Sequence, residues 1–260
     1  MPALRRYFPA IALLVLVVVT WEAGVRFLGV KTFILPAPSA IWTALLDNWT
    51  TGYQILPAAQ VTLYEALGGL VIGVTAGLVV AFSVSRWPGS RDTILPLAVA
   101  INAIPIVAFA PLMNNWLGTL SPLSKMMMAA VLVFFPVMAN VTRGLVQVDA
   151  SALELMRSYA AGESAILRKV RLPNALPFFF TALKLATTLS LIGAVVAEYF
   201  GGSSLVLGRI IVQSSSALRF DITWAAVLLA AATGIVLYLA VVAVERIVIP
   251  WHASMRSPEP

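Results

Sequence analysis

The chain has 260 residues, 60% of them hydrophobic and only 11% charged, against roughly 25% charged in an ordinary soluble domain. No soluble fold hides that much apolar surface, so most of the mass is expected in a bilayer. The net charge of +6 comes from 17 Lys and Arg spread in small groups between apolar runs, and there is no cysteine; this excludes a nucleic-acid footprint, disulfides and thiol chemistry.

A bilayer core about 30 Å thick needs around 20 mostly apolar residues per helix, and every spanning segment must satisfy its backbone internally. Six helical spans are predicted on that basis, at 8–27, 61–83, 94–115, 123–142, 177–200 and 222–244. The first follows Arg5 and Arg6 in the manner of a secretory signal, but no small-x-small cleavage site follows and the run continues to Phe27, so a retained helix is expected. Between the first two spans, Pro36-Ala37-Pro38-Ser39 reads as a helix start. Ile41, Trp42, Leu45, Leu46 and Trp49 then recur at helical spacing, giving either an interfacial helix on the outer face or a short helix packed on the bundle with no role of its own. The second span carries Gly69, Gly73 and Gly77, a small residue every fourth position that lets another helix approach, with Glu65 one turn earlier. The third is interrupted by Pro105 and Pro111 and carries Asn102, Asn114 and Asn115; such breaks are tolerated inside protein.

Charge sets the orientation. With the N-terminus inside, the cytoplasmic segments hold Arg5, Arg6, Arg86, Arg91, Arg143, Arg157, Arg168, Lys169, Arg171, Arg246 and Arg256, eleven residues. The outer segments hold five, Arg26, Lys31, Lys125, Arg209 and Arg219, while Lys184 falls within the fifth span. The positive-inside rule then puts both termini in the cytoplasm.

The stretch 143–176 between the fourth and fifth spans is too long for a tight turn and reads as two short helices. Ser151-Ala152-Leu153-Glu154 has the form of a capping box. Ala152, Leu155, Met156 and Tyr159 supply an apolar side, and Ala160-Ala161-Gly162 ends the first helix, with Gly162 suited to a left-handed turn. A second helix is expected from Glu163 to Leu172, stopped by Pro173. On the fifth span Lys184, Thr187, Ser190, Ala194 and Glu198 fall within about a third of the circumference at 100° per residue. That stripe is a candidate pathway lining, although Thr and Ser can equally bond back to their own helix.

The loop resembles a known signature. Glu154-Leu155-Met156, three residues, Ala160, nine residues, Val170, one residue, Leu172-Pro173 is similar to the Glu-Ala-Ala loop of binding-protein-dependent ABC-importer permeases, whose pattern is Glu-Ala-Ala, three residues, Gly, nine residues, Ile, one residue, Leu-Pro. Leu155 and Met156 replace the alanines, and Ala160 stands at the glycine, with Gly162 two places later, so the turn is expected to be kept but shifted. Ile34-Leu35-Pro36-Ala37-Pro38-Ser39, Ile104-Pro105, Ala110-Pro111-Leu112, Trp116-Leu117-Gly118 and the Glu198, Gly201-Gly202, Leu207-Gly208 tail resemble the nitrate, sulfonate and taurine branch.

The resemblance implies an all-α polytopic bundle of the type I ABC-importer permease fold, a single transmembrane permease domain over 1–260 in the cell inner membrane. It implies that the loop 149–173 docks on separate ABC ATPase subunits through Glu154, Ala160, Gly162, Val170, Leu172 and Pro173, and a two-helix finger of this form is a compact lever suited to transmitting a partner's motion to the fifth span through Pro173 and Pro177. It further implies a solute-binding protein that delivers a small solute and a second permease copy, in the first instance an identical one, embedded in membrane lipid. ATP is expected on the partner and no cofactor in this chain. Asn102, Lys184, Thr187, Ser190 and Glu198 are the candidate path residues. Nitrate, sulfonates, taurine and planar heterocycles are the solutes of the branch, and a pyrimidine-like or other small organic solute is favoured because Lys and Arg along the path are sparse.

The residues also limit the chemistry. The nearest approach to a phosphate loop, Gly118 to Lys125, lacks the second glycine and the placed lysine. The lone histidine, His252, lies beyond the last span, so no Ser-His pair forms in the membrane, no Asp falls inside a span, and no metal-ligand spacing exists. An enzyme is therefore not expected. The alternative function, a gradient-driven secondary transporter or channel, would need intramembrane ionisable relays, and the candidates are Glu22, Glu65, Lys184 and Glu198.

Overall fold

The computed structural model describes residues 2–86, 96 and 105–250, with the backbone alone for 2–7 and 106. Within these the chain is helical: α1 (Pro2–Phe27), α2 (Pro38–Asp47), α3 (Ile55–Arg86), α4 (Ile106–Leu117), α5 (Pro122–Val146), α6 (Ala150–Ser158), α7 (Glu163–Ile166), a wide π turn (Leu167–Arg171), α8 (Leu172–Phe200), α9 (Leu207–Ser216) and α10 (Phe220–Val248). Five of the helical stretches among the described residues are long and apolar enough to cross a membrane: Phe8–Phe27, Ile55–Arg86, Pro122–Val146, Glu163–Phe200 and Phe220–Val248. These are five of the six expected spans. Of the remaining one, the described part is the 12-residue α4 with Pro111 inside it, and Asn102 lies outside the described residues.

The helices outrun the apolar stretches. α3 begins six residues before the expected span and runs for 32 residues, because length in a helix is limited by capping and packing, not only by lipid. One helix had no counterpart in the sequence reading. In α9, Leu207, Ile210, Ile211 and Ser214 are buried, an i, i+3, i+4, i+7 face too short to register as a span.

The residues form two compact units, with boundaries inside α3 and α10. The first comprises the chain up to Gln60 with Ser203–Ala231. There the end of α1 is tied to the start of α2. Ser39 donates its backbone N–H to Glu22 Oε2 at 3.0 Å and its hydroxyl to Oε1 at 2.7 Å, so a carboxylate from another helix serves the exposed amides of α2, whose Pro38 opens the first turn. Trp21 and Trp224 meet edge to face at 5.5 Å.

The second unit comprises Val61–Gly202 and the chain from Ala232. Its core lies between α3, α5 and α8, where Leu70, Ala81, Val133, Val137, Val141, Leu145, Ala175, Ala182 and Ala186 form one buried cluster. The glycine ladder works as expected. A Cβ added at Gly69 would lie 2.4 Å from Ala129 Cβ, and one at Gly73 2.7 Å from the Ala130 carbonyl. From the other side, a Cβ at Gly193 of α8 would sit 2.6 Å from Ala129 Cα. The α5 backbone is thus gripped by glycine faces of both neighbours. Gly193 pairs with the early part of α5 while Gly144, near its end, abuts Ala175 near the start of α8. α5 and α8 are therefore antiparallel, and the segment joining them emerges at one end of the unit.

Candidate functional site

That segment starts differently from the expected capping box. The cap is Asp149, whose carboxylate accepts from the Ser151 N–H at 3.0 Å and the Ser151 hydroxyl at 2.9 Å. Asp is as good a cap as Ser, and it takes the helix start two residues earlier. Glu154 therefore lies in the second turn. It is exposed and joins no hydrogen bond or ion pair among the described residues. No residue of α6 is buried, and Leu155 and Tyr159 are 56% and 74% exposed.

The bend after α6 is also corrected. The left-handed residue is Ala160, with φ of 52°, whereas Gly162 has φ of −68° and caps α7. The turn is not displaced to Gly162; it stays at Ala160, where a Cβ costs about 1 kcal/mol that glycine would not. Nor does Pro173 stop the second helix. Pro173 sits in the first turn of α8, where a missing N–H is least costly, because the π turn ahead of it has already rearranged the hydrogen-bond ladder. Helical backbone runs without a break from Glu163 to Phe200.

The base of the loop is as tight as its tip is open. Asn174 donates its amide to the Gly144 carbonyl at 2.7 Å and the Gln147 carbonyl at 2.9 Å, satisfying the end of α5 from the start of α8. Ile166 is buried, Leu167 and Leu172 pack on the α3–α5–α8 core, Val170 is half-buried and Pro173 exposed. A cleft of about 450 Å³ between the end of α3 and the loop is lined by Val84, Arg86, Leu153, Glu163 and Arg171, among others.

On α8 the polar stripe faces inward. Thr187, Ser190, Ala194 and Glu198 are fully buried. The Thr187 hydroxyl donates to the Lys184 carbonyl at 2.7 Å and Ser190 to the Thr187 carbonyl at 2.9 Å. Lys184 keeps about a quarter of its side chain exposed and donates to both oxygens of Glu245 on α10, at 3.0 and 2.9 Å.

The sequence model of a family described as binding-protein-dependent transport system inner membrane component matches residues 69–252. The chain belongs to that family. It is 32% identical over 221 residues to a probable ABC transporter permease protein of Haemophilus influenzae, covering 85% of this chain and 88% of the relative. It is 29% identical to the riboflavin transport system permease protein of Chloroflexus aurantiacus, over 97% of this chain and 94% of the relative. It is 28% identical to the formylaminopyrimidine transport permease protein of Halalkalibacterium halodurans, over 94% and 95%. The chain is thus an all-helical, multi-pass component of ABC-type membrane transport and not an enzyme.

The permease also holds functional-looking residues that sequence reasoning missed. Lys125, counted with the outer charges, is 1% exposed; its ammonium donates to Asn114 Oδ1 at 3.2 Å, to Ser124 Oγ at 3.0 Å and to the Thr119 carbonyl. Glu245 was passed over beside Arg246. The available signal was the lone Lys184 in an apolar run, which demands a counter-ion at membrane depth.

Proposed function

We propose that this permease moves a small organic solute, handed over by a solute-binding protein, through a complex driven by ABC ATPase subunits that dock on residues 149–173. One observation carries the docking reading: an exposed two-helix finger, with Leu155 and Tyr159 uncovered, is joined through uninterrupted helix to α8. A partner that covers the finger gains that apolar surface, and its movement passes through the bend at Ala160–Gly162 into a helix that continues as a spanning one. Glu154 is the central contact, with Ala160 and Gly162 shaping the bend and Val170, Leu172 and Pro173 transmitting it.

The corrected cap makes the test clean. Because Glu154 caps nothing, Glu154→Arg is expected to leave abundance normal while abolishing co-purification of the ATPase and substrate-stimulated ATP hydrolysis in vesicles. Wild-type values for both would overturn the docking reading and leave a passive linker.

A homodimer in the inner membrane, surrounded by lipid with both termini cytoplasmic, completes the reading; ATP stays on the partner. The eleven-to-five division of Lys and Arg supports the orientation, and a reporter after Pro260 should be active only in the cytoplasm. Differently tagged copies should co-purify if the complex holds two identical permeases.

For the solute, the riboflavin and formylaminopyrimidine names of two relatives support a planar heterocycle, while other relatives are named for aliphatic sulfonates and taurine. The described interior favours the former, since the cations Lys125 and Lys184 are both occupied by partners and are not free for an anion. Uptake of a labelled aminopyrimidine, with no uptake of taurine, is the expected outcome. The path in this reading runs along Asn102, Lys184, Thr187, Ser190 and Glu198, of which Thr187, Ser190 and Glu198 are closed off within the unit and meet solute only on helix motion. Ser190→Ala should slow uptake; unchanged uptake would reduce that hydroxyl to its back-bond on α8.

A further inference from the structure

At one end of the second unit three ionisable side chains are enclosed together. Glu65 of α3 is 3% exposed, Lys125 of α5 1% and Glu198 of α8 0%. Apolar packing sets their proximity: Ala66 shares a cluster with Leu191 and Ala194, and Met128 shares one with Ala110 and Ala197. Asn114, which accepts from Lys125, donates to the Ala197 carbonyl at 3.3 Å, one residue before Glu198. Gly69, one turn after Glu65, and Gly193, five residues before Glu198, both abut Ala129 of α5, one turn after Lys125, so the three side chains lie at one level of the unit.

Two features of this arrangement constrain its charge. Ionised carboxylates only accept hydrogen bonds, so two of them enclosed at one level repel unless one carries a proton. One Glu65 oxygen, Oε2, is buried without a hydrogen-bond partner, which a carbonyl of a neutral acid tolerates far better than a carboxylate does. The arithmetic agrees. Two carboxylates against one ammonium leave a negative charge unbalanced in a low-dielectric interior, where an unpaired charge is among the costliest groups to bury. From the helices packed here, the ionisable groups among the described residues are Glu65 from α3, Lys125 from α5, and Glu198 with Tyr199 from α8; α4 supplies the uncharged Asn114.

We infer that this cluster is a proton-binding site, in which Glu65 and Glu198 hold one proton between them at neutral pH and Lys125 balances the remaining charge. The neutral assembly fastens α3, α5 and α8 at the end of the unit opposite the loop, since Lys125 and Glu198 lie at the far ends of α5 and α8 from Gly144 and Ala175. Lys125 is a positioning residue here, acting through its two carboxyl partners.

Counting protons gives the test. At neutral charge the wild-type cluster holds one proton, Glu65→Gln none, Lys125→Met two and the double variant one. A folded state that binds more protons than the unfolded chain loses stability as pH rises. The slope of Tm against pH between 6 and 8 should therefore be steepest for Lys125→Met, intermediate for wild type and the double variant, and flattest for Glu65→Gln. Lys125→Met should lose about 10 °C in Tm at pH 8 and less at pH 6, and adding Glu65→Gln should recover part of the loss. Infrared difference spectra of wild type against Glu65→Gln should show the carbonyl band of a protonated carboxylic acid at pH 7, a readout that does not depend on the lysine variant folding. Absence of that band, or equal pH slopes for wild type and Glu65→Gln, would overturn the proposal.

Discussion

The membrane helices α3, α5 and α8 and the loop that joins the last two are built on opposite terms. In the helices the decisive residues are the smallest: Gly69, Gly73 and Gly193 bring backbones so close that one methyl group would meet an atom of α5 at 2.4 to 2.7 Å. In α6 nothing is buried, and the large side chains of Leu155 and Tyr159 stand in the open. The contrast separates two kinds of constraint. The helices are held by contacts the chain makes with itself, whereas α6 leaves its large apolar side chains uncovered by the described residues.

Substitutions of graded effect test that division. Lys184→Met strands the nearly buried Glu245 carboxylate and should destabilise by about 3 kcal/mol, the low end for breaking an enclosed ion pair; thermal unfolding in detergent would show it. Gly193→Ala forces a Cβ against Ala129 and should cost about 2 kcal/mol, with reduced abundance. Asp149→Ala removes the only side-chain cap of α6, about 1 kcal/mol, felt as faster hydrogen exchange over residues 150–158 while the Tm of the whole protein barely moves. Ala160→Gly relieves the left-handed strain and should protect the same amides by about 0.5 kcal/mol. Leu155→Ser should leave stability unchanged and lower only association with the ATPase. A large loss of Tm from Leu155→Ser would break the division, because it would mean that the loop is held by the chain itself.

The parts legible in the sequence follow the same line. Long apolar runs and the glycine ladder declare themselves through composition and a four-residue period, and five spans and the α3–α5 approach emerged as expected. The loop was legible as two helices with a signature-like spacing from Glu154 to Leu172-Pro173, but its local stereochemistry was not. Asp149 and Ser151 are both good caps, and a sequence does not say which one the preceding turn presents to the amides. Ala160 was passed over because glycine is the usual left-handed residue, and its strained backbone is imposed by the two helices it joins. The clusters around Lys125 and Lys184 were hidden for another reason. The acidic groups in them lie 60 or more residues away from the lysines along the chain, so no local pattern links them, and Glu245 sits 61 positions from Lys184.

The π turn at Leu167–Arg171 has a consequence for how the two ends of the long helix are aimed. A π turn takes up one residue more than the α-helical turn it replaces, and each residue of an α-helix advances the direction of its side chains by about 100°. Closing the same five residues as ordinary α-helix would swing the loop by about that angle around the axis of α8, whereas deleting one residue as the turn closes would keep the phase, with every side chain on either part unchanged. The wide turn thus works as a vernier: it fixes the angular phase between the finger and the spanning helix, and it absorbs one residue of length without altering either surface.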